Sequence, residues 1–446
     1  MTRNRRAHFC GAPDHLLSRR SFFGATTGLA ATTGLNALTL PVLGSELKRQ
    51  QKRVLMIFLN GGASQFETWD PKPGQPTGGP FVSIPTTIPG YRISELMPRM
   101  AQQLHKHTAV IRSLETHNGD HVDQPLYGGK SPKGVVEYPS LGCMIASELG
   151  DPKSPLPHHV MFSNYLGQSY FTRAGFLGSR WNPVNIMPGR IKAEPPFTID
   201  DSELRLSPLG TDLPHSLSKE EHRDRAALRD LLSQEFRVGR EGDTTLASYD
   251  TAYARVHGLM ESAKLFRIDD EPRQVRERYG PTPFGQQALV ARRLIEAGVP
   301  FVRVNRGWWD HHGQNFEFHH EMVPELDIVL STLLDDMHER GLLEHTLVMT
   351  FSEMGRTPQI NNQQGRDHFP RLSVTLSGCG IKPGVIYGAT NKDGTEIADG
   401  EVDLQKFFAT VFQAVGIDHQ TENHAQDGRP VPLTDYGTEP LEDVLA

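Results

Sequence analysis

Cysteine is almost missing from this chain: Cys10, Cys143 and Cys379 are the only three in 446 residues, and no two form a CxxC pair. That excludes a disulfide framework and a thiolate zinc site. Cys143 and Cys379 can bridge, but two separate buried thiols are the simpler reading. Basic excess is missing too, with a formal net charge of -7. Residues 1–44 hold five Arg against one Asp and contribute +4, so the remainder carries -11. An acidic body argues against a nucleic-acid partner. Long apolar runs are also wanting, and beyond residue 44 no stretch approaches the ~20 apolar residues of a membrane span. Hydrophobic residues nevertheless make up 37% and charged ones 22%, enough for a substantial core.

The first 44 residues read as an address. In SRRSFFGATTGLAATTGLNALTLPVLG, Arg19 and Arg20 precede Phe22, Phe23 and a mildly apolar Gly/Ala/Thr/Leu stretch. This resembles a twin-arginine export signal, which implies a periplasmic or extracellular protein. No small-residue cleavage site stands out near residues 38–45, so an uncleaved segment is expected to be able to anchor the chain to a membrane.

Beyond it, RVLMIFLNGG is a continuous apolar run closed by Gly, the pattern of a strand buried on both faces. Similar runs begin at residues 108, 158, 299, 346 and 371. Helical patterns alternate with them. Met322, Leu326, Val329, Leu330, Leu333 and Met337 follow i, i+3, i+4 spacing ahead of Gly341, and residues 284–298 behave likewise ahead of Gly298. The expected fold is α/β: a three-layer sandwich around a mostly parallel central sheet. It occupies residues 45–420. Two charged amphipathic helices at about 215–270 form a helical insertion, residues 164–214 form long loops over one edge, and 421–446 form a polar C-terminal tail.

Open parallel sheets bind ligands beyond the carboxyl ends of their strands. Here those positions are polar: Asn60, Ser64, Glu67 and Asp70; then Thr116, His117, Asp120, His121 and Asp123; then Asp310, His311, His312, Asn315, His319 and His320; then Glu353, Arg356, Arg366, Asp367 and His368. Carboxylates gathered at one rim repel unless a cation neutralises them. Imidazole with carboxylate suits zinc, manganese or iron, while carboxylates and amides alone suit magnesium or calcium. Asp310 and His312 are two apart, so an extended loop points both the same way. The HHE at 319–321 reads as helix-start capping and solvation. Arg356 and Arg366 either grip an anionic group bidentately or serve as counter-ions to Glu353 and Asp367.

NGGASQFETWDPKP, EPRQVRERYGPTPFGQQALVARRLIEAGVPFV, WDHHGQNF and SEMGRTPQINNQQGRDHFP, in this order, resemble the exported bacterial family called domain of unknown function 1501 (DUF1501). That family is placed in the alkaline phosphatase-like superfamily with the sulfatases. The resemblance implies a divalent metal, zinc first and manganese, calcium or magnesium after it. It also implies hydrolysis of phosphate or sulfate esters of a small molecule or glycan. By position, Asp310, His312, Glu353 and His368 match metal ligands; Asp367 beside them is a further metal candidate, and Asn60, standing where the superfamily has Asp, is expected to bind or orient the metal. The usual nucleophile is not recognisable; His121 by position and Thr116 by chemistry are the candidates, with Arg356 and Arg366 holding the anion. A non-catalytic envelope or glycan-binding protein on the same fold is the alternative, and a purely structural surface protein a third.

Overall fold

The computed structural model describes residues 51–446 apart from 152–153, 164–171, 187–205, 208–215, 241–252 and 255. The segment 1–44 and most of 164–214 lie outside the described residues.

Nine strands form the central sheet among the described residues. They are β1 (Arg53–Leu59), β2 (Thr108–Glu115), β3 (His159–Phe162), β4 (Val184–Ile186), β5 (Phe301–Arg306), β6 (Thr346–Phe351), β7 (Arg371–Gly378), β8 (Ile386–Tyr387) and β9 (Val402–Asp403). Their order is β8-β2-β7-β6-β1-β5-β3-β4, with β9 also on β2. Every pairing is parallel except those of β7, which runs antiparallel to β2 and β6. The edge strand β4 falls within the range expected to be loops. At three residues it is too short to leave a period-2 signal.

All seven residues of β1 are buried, and its alternation sorts them between two cores. Leu55, Ile57 and Leu59 join residues of helices α1 (Pro98–His107), α4 (Pro283–Ala297) and α5 (Asn315–Glu339). Val54, Met56 and Phe58 join residues of α2 (Leu141–Leu149) and α6 (Leu404–Ala414). Helices on both faces of one sheet make three layers. Local chemistry sets the helix ends: the Thr282 side chain caps α4 ahead of Pro283 at N1, and Gly298 ends it in the left-handed region. Cys143 and Cys379 are separate buried thiols.

The insertion contributes α3 (Lys219–Arg237), opened by a Ser218/Glu221 capping box, and further helical residues at 256–261. The segment 421–446 is not a polar tail. Residues 422–424 and 430–432 pair as a ribbon, and Leu433, Leu441, Val444 and Leu445 are buried in the core beside α6. Four apolar residues spaced by turns give no period to read, which is why composition alone made the segment look solvated.

The sheet order fixes where the loops emerge. Leu59 pairs with Arg306 and Phe58 with Phe351, so β1, β5 and β6 end together. Because β7 is antiparallel, its first residue, Arg371, lies opposite Glu115 at the end of β2. The loops after β1, β2 and β5 and the connection from β6 to β7 therefore share one rim.

Candidate metal centre

The loop that leaves β6 folds back as a hairpin, with Gly355–Arg356 antiparallel to His368–Phe369. This places His368, which precedes a strand, on the rim with residues that follow strands. The hairpin is zipped to the loop after β5: Arg366 N donates to His311 O, Gln314 N to Gln363 O and Asn315 N to Gln364 O. Gly365 is required here, because a Cβ on it would lie 2.0 Å from His312 O. On the other side Gly61, at φ +107°, lets the β1 loop approach Asp310; a Cβ there would lie 2.7 Å from Asp310 N.

These contacts bring Asp310, His312, His368 and His121 together. His312 Nε2 lies 3.1 Å from Asp310 Oδ1, His368 Nε2 lies 3.2 Å from the same oxygen, and the two Nε2 atoms are 3.0 Å apart. His121 Nε2 is 2.9 Å from Asp310 Oδ2. Ligand atoms of His121, Asp310 and His368 all lie within 4.8 Å of one another. Four donors placed tetrahedrally at ordinary zinc–nitrogen distances sit roughly 3.3 Å from each other. The Asp310–His312–His368 triangle is within a few tenths of an ångström of that spacing, so these residues fit a cation.

Carboxylates behind the imidazoles orient them. His312 Nδ1 is 2.7 Å from Asp367 Oδ1; a proton on Nδ1 leaves the Nε2 lone pair facing Asp310 and His368. Asp367 thus lies behind the His312 ring, on the side away from Asp310 and His368. Glu353 is fully buried, accepts from Gly61 N at 2.8 Å and Ser352 Oγ at 3.1 Å, and faces His121 Nδ1 at 3.4 Å. It too backs an imidazole. Asn60 closes β1 with its backbone, accepting from Trp309 N.

The electrostatics follow from the same contacts. Burial works against ionisation of Asp310, but hydrogen bonds from His121 and His368 and the Arg356 charge hold its carboxyl far below the usual carboxylate range. Hydrogen bonds to Asp310 and Glu353, opposed by burial, push the His121 imidazole up to about 9. With both ring nitrogens on carboxylates, His121 is a poor nucleophile, and its Nε2 lies beside the Asp310–His312–His368 triangle.

Both arginines are fully buried, and neither faces an open space for an anion. Arg356 donates from Nε to Gly62 O, from Nη1 to Arg366 O, and from Nη2 to Gly61 O and Asp310 Oδ1. Arg366 donates to both Glu67 carboxylate oxygens and to the carbonyls of Thr357, Pro358 and Thr77. The counter-ion reading is therefore the correct one, but with different acids: Asp310 and Glu67 rather than Glu353 and Asp367. Thr116 is likewise structural, since its buried hydroxyl faces the carbonyls of Asn118 and Pro370 at 2.8 Å.

Alternation around Asp310 holds. His311, between the two outward side chains, is buried and stacked on Phe318 with centroids 4.0 Å apart, and burial pushes its imidazole down to about 2. The HHE segment is not a helix start, because α5 begins four residues before His319. His319 is buried, accepts from Ser64 N and pairs with Asn315 O, and burial lowers it to about 4. Asp70 stands apart, bonded to Lys72, Arg112 and Thr390. Sequence reasoning passed over Glu67 as the anchor of Arg366; spacing gives no signal for a partner 299 residues away.

Among solved structures, similarity extends to the PsFucS1 sulfatase from Pseudoalteromonas sp., at 10% identity and TM-score 0.37, over 84% of this chain and 69% of that one. It extends also to a protein in the alkaline phosphatase superfamily from Vibrio parahaemolyticus, at 10% identity and TM-score 0.37, over 83% and 67%. A third is the lipoteichoic acid synthase LtaP from Listeria monocytogenes, at 9% and 0.35, over 83% and 73%. At such scores the likeness carries no argument about activity. No curated protein matches the chain. The family described as protein of unknown function (DUF1501) matches residues 51–445, and the chain belongs to that family.

Proposed function

We propose that the protein is an exported metal-dependent hydrolase of phosphate or sulfate esters, with its metal held by Asp310, His312, His368 and His121. The observation that supports this is the triangle of ligand atoms at 3.0–3.2 Å, with a carboxylate set behind His312 to orient its bare nitrogen inward. Three imidazoles and one carboxylate suit zinc better than magnesium or calcium.

When bound, the metal would polarise an ester oxygen and lower the pKa of a coordinated water. The chain's own residues do the rest. Asp310 supplies negative charge, and Arg356 fixes its orientation from below at 2.6 Å. Asp367 keeps the proton of His312 on Nδ1. Glu353 holds the Nδ1 edge of His121. The hydroxyls of Thr116 and Ser352 are taken up by backbone carbonyls and by Glu353, so water is the attacking group in this reading.

Hydrolysis of aryl phosphate or aryl sulfate should depend on added zinc and fall at least a hundredfold in Asp310→Asn; zinc-independent turnover, or an unaffected variant, would sink the proposal. Export through the twin-arginine route is part of it. Arg19→Lys with Arg20→Lys should trap the protein in the cytoplasm, and unchanged export would remove that part alone.

The lack of a recognisable side-chain nucleophile favours a second reading, a non-catalytic glycan-ester or envelope-binding protein. Metal binding without turnover of either ester class is its signature.

A further inference from the structure

Helix α3 is inside out. It spans 19 residues and buries none of them. The face turned toward the body carries His222, Ala226, Arg229 and Ser233, each only half-buried. An exposed flank carries Leu228, Leu231, Leu232 and Phe236 at i, i+3, i+4 and i+8 spacing, with Val238 just past the end. Their exposures are 60%, 59%, 56%, 54% and 73%. An amphipathic helix normally turns such a stripe inward, and a helix of this length draws most of its stability from packing that face. The stripe needs a cover.

We infer that the cover is the same stripe of a second copy, the two α3 helices packing antiparallel about a twofold axis near Leu232. Three observations favour this occupant. Residues 219–237 contain five basic and five acidic side chains, so the helix has no net charge to draw it to an anionic lipid surface, which a membrane-binding helix ordinarily uses. The stripe is self-complementary: a twofold at Leu232 sets Leu228 of one copy opposite Phe236 of the other. Finally, the five apolar side chains leave on the order of 500 Å² exposed per copy, so pairing would cover on the order of 1,000 Å², about the least that a specific interface needs.

The test is sedimentation velocity of the full chain at micromolar concentrations. The wild type should sediment as a dimer of the 49.7 kDa chain. Leu231→Glu with Leu232→Glu should sediment as a monomer that still unfolds cooperatively, since both positions are solvent-facing in the single chain. Leu232→Cys should form a copy-to-copy disulfide on oxidation, while Val135→Cys, at an exposed position outside the stripe, should not. A monomeric wild type overturns the inference, as does a dimer that survives the double glutamate change. A monomer that floats with phosphatidylglycerol vesicles would overturn it too and assign the stripe to lipid.

Discussion

Asp310 concentrates the chemistry of the rim, accepting from Arg356 while facing three imidazoles within 3.2 Å. His121 responds most to that crowding. Its folded pKa of about 9 exceeds the ordinary 6.5, so in the metal-free protein the protonated ring contributes stability that is fully present below about pH 6.5 and lost as pH rises toward 9. A metal must displace that proton. Zinc affinity, measured with chelator-buffered zinc between about pH 6 and 8, should therefore rise with pH more steeply in the wild type than in His121→Asn, by about tenfold per pH unit for the proton concerned. Equal slopes would remove His121 from the ligand set. At this scale the sequence was legible in part. The structure brings Asp310 and His312 together as their spacing led one to expect, and His368 beside them as the motif did. That Asp367 and Glu353 stand behind imidazoles was not legible, because a ligand and the group that orients it use the same residue types.

At the scale of elements, the hairpin of residues 355–369 is held by charges it buries. Arg366 and Glu67 are both fully buried. Burial alone would raise Glu67, but the Arg366 charge and hydrogen bonds hold its carboxyl below its ordinary range. Truncating one partner strands the other's charge. Arg366→Ala should lower stability by ~3–5 kcal/mol in denaturant unfolding, and pairing Glu67→Gln with Arg366→Met should recover much of that loss. A neutral Arg366→Ala would show that the hairpin is held otherwise. The repeated apolar runs exposed the main strands, and the spacing of α4 and α5 exposed those helices, because continuous burial leaves a dense pattern. The antiparallel sense of β7 left no mark in composition, although it alone delivers His368 to the rim. Strand direction is decided by pairing partners far away in sequence.

At the scale of the whole molecule, two cores flank one sheet, and the polar residues gather at a single rim while α3 offers its apolar stripe elsewhere. The three-layer plan could be read in advance because β1 is apolar at every position after Arg53. The closing segment could not, since its buried Leu441, Val444 and Leu445 lie among charged neighbours. The account stands on a cation joining loops from β2, β5 and the hairpin before β7. Anomalous diffraction at the zinc edge, from crystals grown with zinc, tests this most directly. The predicted result is one strong peak at bonding distance from His121 Nε2, His312 Nε2, His368 Nε2 and a carboxylate oxygen of Asp310. A map with no peak there at saturating zinc, with the imidazoles still bonded to their carboxylates, would contradict it.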